Sequence, residues 1–369
     1  MTSAKPPSSF VEEIKKTGFV LENNIALKLK SAGWTVISNK YYVDDAEETV
    51  REIDLIAYKC TVVENFDVYT ALIISCKKSE DNAWALLSRE INLKDPNSDW
   101  SPLHAWSNNK ALNYKLSEQG KANQYYERAA ELGVTEVLQT PSVEVFAYQE
   151  MNKVSKKPQN DKPIFNAITS LMKAQEYELG ALPRRKKNLC IYQFNLLSVI
   201  DTDLIRLMFS GDNIVSSSIE TEHYLARYIL KKRETFSRIR FIRATAFEAV
   251  LIDYGRLHNA NCEWFAEEVE EFYTDVLKDS KRTKVFLDDF KTKIEHHMLA
   301  ALSWSHYDVK LISINWDESE EQPWIGVVFS GDDVNKLNAD EKLTVAVASA
   351  FKAVYRYEGK FSFSEDVPF

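Results

Sequence analysis

The chain has 369 residues, of which 45% are hydrophobic and 12% aromatic, and its formal net charge is -9. This length and apolar content suffice for one large folded domain or two ordinary ones, and they exclude an intrinsically disordered chain. The acidic balance excludes a surface that is basic throughout, as non-specific binding to nucleic acid or membranes would need, but it permits a local basic groove.

The cysteines and the amino-terminal residues indicate a reducing location. The four cysteines lie far apart and form no CxxC pair, so neither a disulfide framework nor a zinc site is indicated. The first ten residues contain no apolar signal-peptide core, and the longest apolar run, at 189–200, is too short and too polar to span a bilayer. We therefore predict a cytoplasmic protein that has no membrane partner.

The first 80 residues predict one helix followed by three strands. Leu21, Ile25 and Leu29 recur at intervals of four, which predicts a helix over 17–33. The strands are predicted in the apolar stretches that follow, at 34–43, 50–59 and 65–78. Because the turns between these strands are short, we expect a β-meander that packs against the helix.

The middle of the chain contains both helical and strand-like patterns. Helices are predicted at 121–133 and 164–180, and strands at 142–151, 189–200, 203–210, 222–230 and 238–244. The sequence PRRKKN at 183–188 is predicted to be a basic loop. Together these elements predict an α/β fold with a mixed sheet flanked by helices.

The last third has a different pattern and predicts a separate α+β unit. Helices are predicted at 262–277, 285–302 and 340–357, and paired strands at 309–318 and 323–331. We place the boundary within 255–282. The chain is accordingly divided into a domain of residues 1–260 and a C-terminal domain of residues 261–369.

Charged residues stand in two of the predicted buried strands. Side chains alternate faces along a strand, so Ser75 and Lys77 share one face of ALIISCKKS, while Cys76 and Lys78 share the other. Asp54, in the preceding strand, lies among residues that favour burial, where an aspartate needs a partner or a metal. Lys77 supplies that partner if the two strands are adjacent. The alternative reading is a structural salt bridge at a sheet end.

A third polar group comes from the first predicted helix. Glu22 borders the apolar stripe of this helix, so it can converge with Asp54 and Lys77 at one place. Glutamates in the first turns of helices are also favoured by the helix dipole, and this simpler explanation stays open.

The order of these residues resembles the PD-(D/E)xK nuclease superfamily. A glutamate in a first helix, EID in one strand and SCK in the next are similar to Mrr-type restriction endonucleases and archaeal Holliday-junction resolvases. The resemblance covers residues 18–79 and, by order of elements, the helix at 164–180. It implies a restriction-endonuclease-like core and metal-dependent hydrolysis of DNA, in restriction, defence or DNA processing. A homodimer is compatible with it.

The resemblance also implies a role for each residue. Asp54 matches the metal-binding aspartate, Glu22 the helix glutamate and Lys77 the lysine, and the backbone carbonyl of Cys76 is a further metal ligand. The implied metal is Mg²⁺ or Mn²⁺, because Mg²⁺ prefers oxygen ligands and takes one or two carboxylates. The metal polarises the phosphodiester and activates water, and the lysine stabilises the developing negative charge.

One position departs from the family pattern. Ser75 stands where the family has its second carboxylate, so the site loses a negative charge and metal affinity should fall. Glu52, two residues before Asp54 and on the same strand face, is a candidate replacement. Ser75 also favours an alternative, a catalytically degenerate nuclease fold that binds nucleic acid or protein partners. A third reading assigns the function to the C-terminal unit, which would bind a partner or a nucleotide.

Two basic segments are candidates for contacts with DNA phosphates. The first contains Arg184, Arg185, Lys186 and Lys187, and the second spans 231–243. An exposed loop and solvated strand faces would give the same pattern, and for any single residue that explanation is the better one.

Overall fold

The structure is a computed structural model, and it describes residues 8–44, 48–305 and 311–366. The chain divides into two compact units. The first comprises Met1–Asn108 and Gln119–Phe265, and the second comprises Asn109–Glu118 and Ala266–Phe369. The main segment of the second unit therefore begins at Ala266, which lies within the predicted boundary region of 255–282, and a short segment from the middle of the chain belongs to the same unit.

The described residues form helices and strands in both units. The helices are α1 (Ser8–Lys15), α2 (Gly18–Ser31), α3 (Lys110–Leu116), α4 (Lys121–Glu131), α5 (Lys162–Arg185), α6 (Phe247–Tyr273), α7 (Ser280–Val285), α8 (Leu287–Ala301), α9 (Gly331–Ala339) and α10 (Glu341–Tyr355). The strands of the first unit are β1 (Thr35–Asp44), β2 (Thr49–Val63), β3 (Phe66–Lys78), β4 (Asn82–Glu90), β5 (Ala105–Ser107), β6 (Val143–Asn152), β7 (Cys190–Asp201), β8 (Leu204–Ser210), β9 (Asn213–Ser218), β10 (Thr221–Leu230) and β11 (Arg233–Arg243). Those of the second unit are β12 (Leu311–Asp317), β13 (Gln322–Val327) and β14 (Ser362–Glu365).

The main sheet of the first unit has the strand order β1-β2-β3-β7-β11-β10, with β5 paired to β7. Strands β1, β2 and β3 are antiparallel neighbours, which confirms the predicted meander. Strand β7 runs parallel to β3, and β11 runs parallel to β7. The sheet is therefore mixed, as predicted. The pairing of β2 with β3 ends at Leu55 and Ile74, so Asp54 and Ser75 are the first residues beyond it.

Besides the main sheet, the first unit has a second sheet and the second unit has a sheet of its own. The second sheet of the first unit has the order β6-β4-β8-β9, and it pairs β4 with β8 in parallel. The sheet of the second unit has the order β12-β13-β14. The mixed α/β class is thus confirmed. Among the described residues, none of the helices combines the length and apolar character that a bilayer crossing requires.

Helix α5 covers the sheet face that carries the odd-numbered residues of β3. Ile164, Ile168 and Leu171, spaced at four and three, are buried in one cluster with Ile73 of β3 and Ile56 of β2. Fully burying one such side chain stabilises the fold by about 1.5–3 kcal/mol. Since Ser75 and Lys77 continue this odd-numbered face, the packing of α5 decides which side chains line the end of the sheet.

Several predicted boundaries are wrong. Arg184 and Arg185 were predicted in a loop, but they form the last turn of α5, which continues past Pro183. Helix α6 begins at Phe247, well before the predicted start at 262. The helix predicted over 285–302 is confirmed as α8, which begins two residues later and is preceded by the short helix α7. Part of the strand predicted at 309–318 lies outside the described residues.

Candidate active site

Asp54 and Lys77 meet at one end of the main sheet, just beyond the last paired residues of β2 and β3. Asp54 Oδ2 accepts hydrogen bonds from the Cys76 backbone N–H at 2.7 Å and from the Ser75 hydroxyl at 3.3 Å. The Lys77 ammonium donates to the same oxygen at 3.4 Å. Three consecutive residues of β3 therefore hold one carboxylate oxygen of β2.

The Cys76 carbonyl also faces this gap between the strands. The N–H and C=O groups of a strand residue point to the same side of the strand, and the Cys76 N–H points to Asp54. The Cys76 thiol is buried, and burial, with a smaller effect of the Asp54 charge, raises its pKa well above the usual value. The thiol thus stays neutral, and the group of Cys76 suited to a metal is the carbonyl.

Glu22 is coupled electrostatically to this pair from α2. Burial raises the pKa of Glu22, the Asp54 charge raises it further, and Lys77 opposes both effects. The Glu22 carboxylate therefore lies within electrostatic range of both partners. We call Glu22, Asp54, Ser75 and Lys77 the acid–lysine site.

Replacing Glu22 with glutamine is expected to stabilise the protein at neutral pH. Because its pKa is raised by folding, ionised Glu22 costs stability, and this loss appears as the pH rises through the folded-state pKa. Glutamine removes the cost. Since the side chain is partly exposed, we expect the Tm at pH 7 to rise by only about 1–2 °C.

Thermal unfolding at pH 7 and pH 3.5 measures this effect, which should disappear at the lower pH. Glu90→Gln, at an exposed position at the end of β4, is the control and should leave Tm unchanged. A lower Tm for Glu22→Gln at pH 7 would show that the glutamate carboxylate stabilises the fold instead.

Glu52 lies on the same face of β2 as Asp54 but has a different partner. The side chain is exposed, and its carboxylate accepts a hydrogen bond from Asn39 Nδ2 at 2.7 Å. Its charge contributes to the raised pKa of Glu22. The structure thus places Glu52 at the rim of the acid–lysine site, and its role as a replacement carboxylate stays a prediction.

A cleft of about 400 Å³ opens beside Asp54 and Lys77. One wall is formed by a polar stripe of α5, namely Asn166, Thr169, Ser170 and Lys173. These residues were predicted to lie in a helix, but no role was predicted for them. Their i, i+3, i+4, i+7 spacing was the signal that would have identified them as one helix face.

Other residues add positive charge and aromatic rings to the cleft. Arg51 and Lys173 line it, and each also binds the buried Asp44 carboxylate, at 3.0 Å and 2.7 Å. Phe165 and Tyr228 meet edge to face at the cleft with ring centroids 6.3 Å apart. Cationic side chains can bind the phosphates of a nucleic acid, and aromatic rings can stack on its bases. We therefore call this cleft the phosphate cleft.

Lys78 has partners different from those of Lys77, as the strand pleat predicts. Its ammonium donates to the Lys15 carbonyl oxygen at the end of α1 at 2.8 Å, and it lies 3.5 Å from the Asp201 carboxylate. A cation at a helix C-terminus is favourable. Lys78 is therefore a structural residue.

Two cations of the first basic segment belong to the last turn of α5. Arg185 donates to the Glu178 carboxylate at 2.8 Å, and Glu178 also binds Lys40 at 2.7 Å. Arg184 is exposed. Arg185 is thus occupied by an internal ion pair.

The other two cations lie at the opposite end of β3 from Lys77. Lys186 Nζ lies 4.3 Å from the Tyr69 ring centroid and donates to the Tyr69 hydroxyl at 3.2 Å, while Lys187 is exposed. Tyr69 precedes Lys77 by eight positions, a distance of about 26 Å along a strand. The structure does not bring this basic segment to the acid–lysine site.

The second basic segment is largely paired within the first unit. Lys231 binds Glu176 at 2.9 Å and Arg243 binds Glu220 at 2.6 Å. Arg240 is buried. The cations that line the phosphate cleft together with Asp54 are Arg51, Lys77 and Lys173, and only Lys77 was predicted as a site residue from the sequence.

The acid–lysine site suits a divalent cation that keeps part of its water shell. Over the described ranges 8–44, 48–305 and 311–366, no three His, Cys, Asp or Glu side chains are grouped to hold a metal ion. Mg²⁺ is commonly bound by one or two carboxylates, with waters and substrate phosphates completing the shell. Asp54 and the Cys76 carbonyl fit such a shell, and Glu22, whose pKa is raised first by burial and then by the Asp54 charge, lies within electrostatic range of Asp54.

Comparisons with known proteins add no family to this geometry. No protein-family model matches the chain, and no curated protein or solved structure matches it. The function is therefore inferred from the residues and their arrangement.

Proposed function

We propose that this protein hydrolyses phosphodiester bonds of DNA with Mg²⁺ or Mn²⁺ at the acid–lysine site. The observation that carries the proposal is the convergence of Asp54 and Lys77 beside the phosphate cleft. The order of elements supports a restriction-endonuclease-like core, since α2 precedes a three-strand meander and α5 then leads to the parallel strand β7. A cytoplasmic location and a homodimer stay predictions.

In this proposal, different residues bind the phosphate backbone, hold the metal and stabilise the developing charge. Arg51, Lys173 and the polar stripe of α5 bind the phosphate backbone in the cleft. Asp54 and the Cys76 carbonyl hold the divalent cation, which supplies Lewis-acid polarisation of the scissile phosphate when bound. Lys77 places its positive charge where negative charge develops during attack.

A cleavage assay tests the proposal. Purified protein is incubated with single-stranded, duplex and branched DNA in the presence of Mg²⁺ or Mn²⁺, and with EDTA as control. We expect products that depend on the metal. Intact DNA in every combination would count against a nuclease.

Restoring an acid at position 75 is expected to strengthen metal binding. Ser75 is buried beside Asp54, and its register partner Ser198 has a buried hydroxyl without a hydrogen-bond partner among the described residues. In Ser75→Asp the new carboxylate can accept from Ser198 and doubles the charge facing the metal. We expect Mn²⁺ affinity to rise about tenfold, because ligand charge sets the affinity of such sites.

Isothermal titration with Mn²⁺ measures this change. Without metal, Ser75→Asp should be less stable than the natural protein because two carboxylates repel each other. Ser75→Asn has nearly the same size without the charge and is the matched control. Equal Mn²⁺ affinity for both variants would show that position 75 does not face the metal.

A second function is favoured by Ser75 itself and by the lack of a three-ligand group in the described part of the chain. In this alternative the phosphate cleft binds nucleic acid, and no hydrolysis follows. DNA binding that is unaffected by Mn²⁺, without cleavage and without a saturable Mn²⁺ site at Asp54, would identify the protein as a binding module.

A further inference from the structure

The second unit contains a cavity of about 460 Å³ with an aromatic lining. Its rings come from the end of α6, from β12 and from the end of α10 and the residues after it, and they are Tyr273, Trp316, Tyr355 and Tyr357. We call this cavity the aromatic pocket. Trp316 and Tyr357 meet at a right angle with centroids 6.2 Å apart, so they form two walls of one corner. Its volume suits one side chain or a small molecule.

Two ring faces in the pocket already contact cations of the protein. The Arg356 guanidinium lies 4.2 Å from the Tyr273 ring centroid, and Lys278 Nζ lies 5.4 Å from that of Trp316. An ammonium or guanidinium group within about 6 Å of a ring centroid is attracted by the ring. The Lys278 side chain is 48% exposed and stands on a short 3-10 turn, so it can leave the ring without disturbing the core.

The charges around the pocket favour a further cation over an anion. Asp275, Glu318 and Glu321 line it, and all three are exposed. The pKa of Lys278 is raised, chiefly by its hydrogen bond and ion pair with Asp275 and to a smaller extent by the two glutamates.

Arg356, the second cation of the pocket, is paired with the Glu270 carboxylate. The residues that line the pocket include two cations and three carboxylates, an excess of one negative charge, and Glu270 outside the lining already balances Arg356. A ligand phosphate would be repelled, which disfavours a nucleotide in this pocket.

We propose that the aromatic pocket binds an organic cation, a guanidinium or ammonium group that stacks on Trp316 and Tyr357 and pairs with Glu318 and Glu321. The rings supply the faces on which the cation stacks, and the two glutamates supply the counter-charges. Of the residues that line the pocket, Lys278 and Arg356 are the cations. This chemistry occurs in free small cations and in the arginine or lysine side chain of a partner. The activity proposed for the first unit is independent of this site.

Calorimetric titration of the full chain with matched ligands tests the charge requirement. N-acetyl-arginine amide carries the guanidinium, and N-acetyl-citrulline amide has nearly the same shape without the charge. We expect saturable binding of the arginine compound that is at least about tenfold tighter than binding of the citrulline compound. Equal affinities, or the absence of saturable binding, would overturn the proposal.

Variants test the location of the binding site. Trp316→Ala is expected to weaken binding about tenfold, and the double variant Glu318→Gln and Glu321→Gln, which leaves the rings in place, should weaken it similarly. Glu320→Gln, an exposed acid of the same turn that does not line the pocket, is the matched control and should bind normally. Unchanged affinity in the double variant would refute the site even if Trp316→Ala fails to fold.

Two further ligands distinguish the source of the cation. Spermidine represents free small cations, and the peptide Gly-Gly-Arg-Gly-Gly represents a side chain of a partner. If the peptide binds more tightly than both spermidine and N-acetyl-arginine amide, the pocket is assigned to a side chain of a partner. If either small cation binds more tightly than the peptide, the pocket is assigned to a free cation. Failure of the peptide, spermidine and N-acetyl-arginine amide alike to bind would overturn the proposal while leaving the cleavage assay of the first unit unaffected.

Discussion

Replacing Asp54 with asparagine is expected to reduce metal-dependent DNA cleavage by at least about a thousandfold, at the upper end of losses seen when one charged or hydrogen-bonding group is removed. Asparagine keeps an oxygen that can accept the Cys76 N–H, so the strand end should remain folded. It removes the negative charge that the metal and Lys77 require. Single-turnover cleavage of a labelled oligonucleotide at fixed Mn²⁺ measures the chemical step.

The adjacent lysines give this prediction a matched pair of variants. Lys77→Met is expected to slow cleavage about 10²–10³-fold, because the proposed role of this cation is to stabilise the negative charge that develops on the reacting phosphate. Lys78→Met removes the same cation one residue later, where it binds the Lys15 carbonyl and Asp201 on the other side of the strand. Cleavage by Lys78→Met should match the natural protein. Equal losses in both variants, or an active Asp54→Asn, would contradict the assigned roles.

The part of the fold that carries the site was predictable because its patterns are local. Apolar stretches separated by short polar turns located β1, β2 and β3, and the short turns implied the antiparallel meander. Strand β4 was missed because its sequence, NAWALLSRE, is a short apolar run buried on both faces, for which periodicity does not distinguish strand from helix. The helix over 164–180 was predicted to end before Pro183, yet α5 continues to Arg185, because a proline so close to the C-terminus disturbs little of the helix.

For the site itself, the sequence predicted only which side chains share a face of a strand. The separation of Lys77 from Lys78 follows from alternation, and the structure shows it. The partner of Lys186 did not follow from the sequence, because stacking on Tyr69 depends on where α5 ends relative to β3. The positive charge of the segment suggested a contact with DNA. The tertiary packing, however, places Lys186 far from Asp54.

Acidification is expected to destabilise the first unit through its buried histidines. His258 lies between Thr61 and Thr70, with hydrogen bonds of 2.9 Å and 3.1 Å to their hydroxyls. Burial, with a smaller effect of the Lys59 charge, lowers the pKa of His258 from 6.5 to about 4. His223 is also buried, and its pKa is lowered well below the usual value, first by burial.

The sign of the effect follows from where the protons bind. Between pH 6.5 and the folded-state pKa of about 4, His258 binds a proton in the unfolded chain but not in the folded one, so stability falls as the pH falls. For His258 alone the full loss is about 3 kcal/mol, or about 6–12 °C in Tm for a unit of this size. Glu150 and Glu222, whose pKa values are raised by burial, act in the opposite direction. The total pH dependence therefore understates the contribution of His258.

A variant isolates that contribution. His258→Gln should be less stable than the natural protein at pH 7.5, because one hydrogen bond is lost, but its Tm should fall less on acidification, so the two Tm curves should converge toward pH 4. His297→Gln, at an exposed position of α8, is the control and should run parallel to the natural protein. Parallel curves for His258→Gln would mean that His258 takes up its proton equally in both states. Its buried position between two threonine hydroxyls would then have to accommodate the imidazolium, with both hydroxyls acting as acceptors.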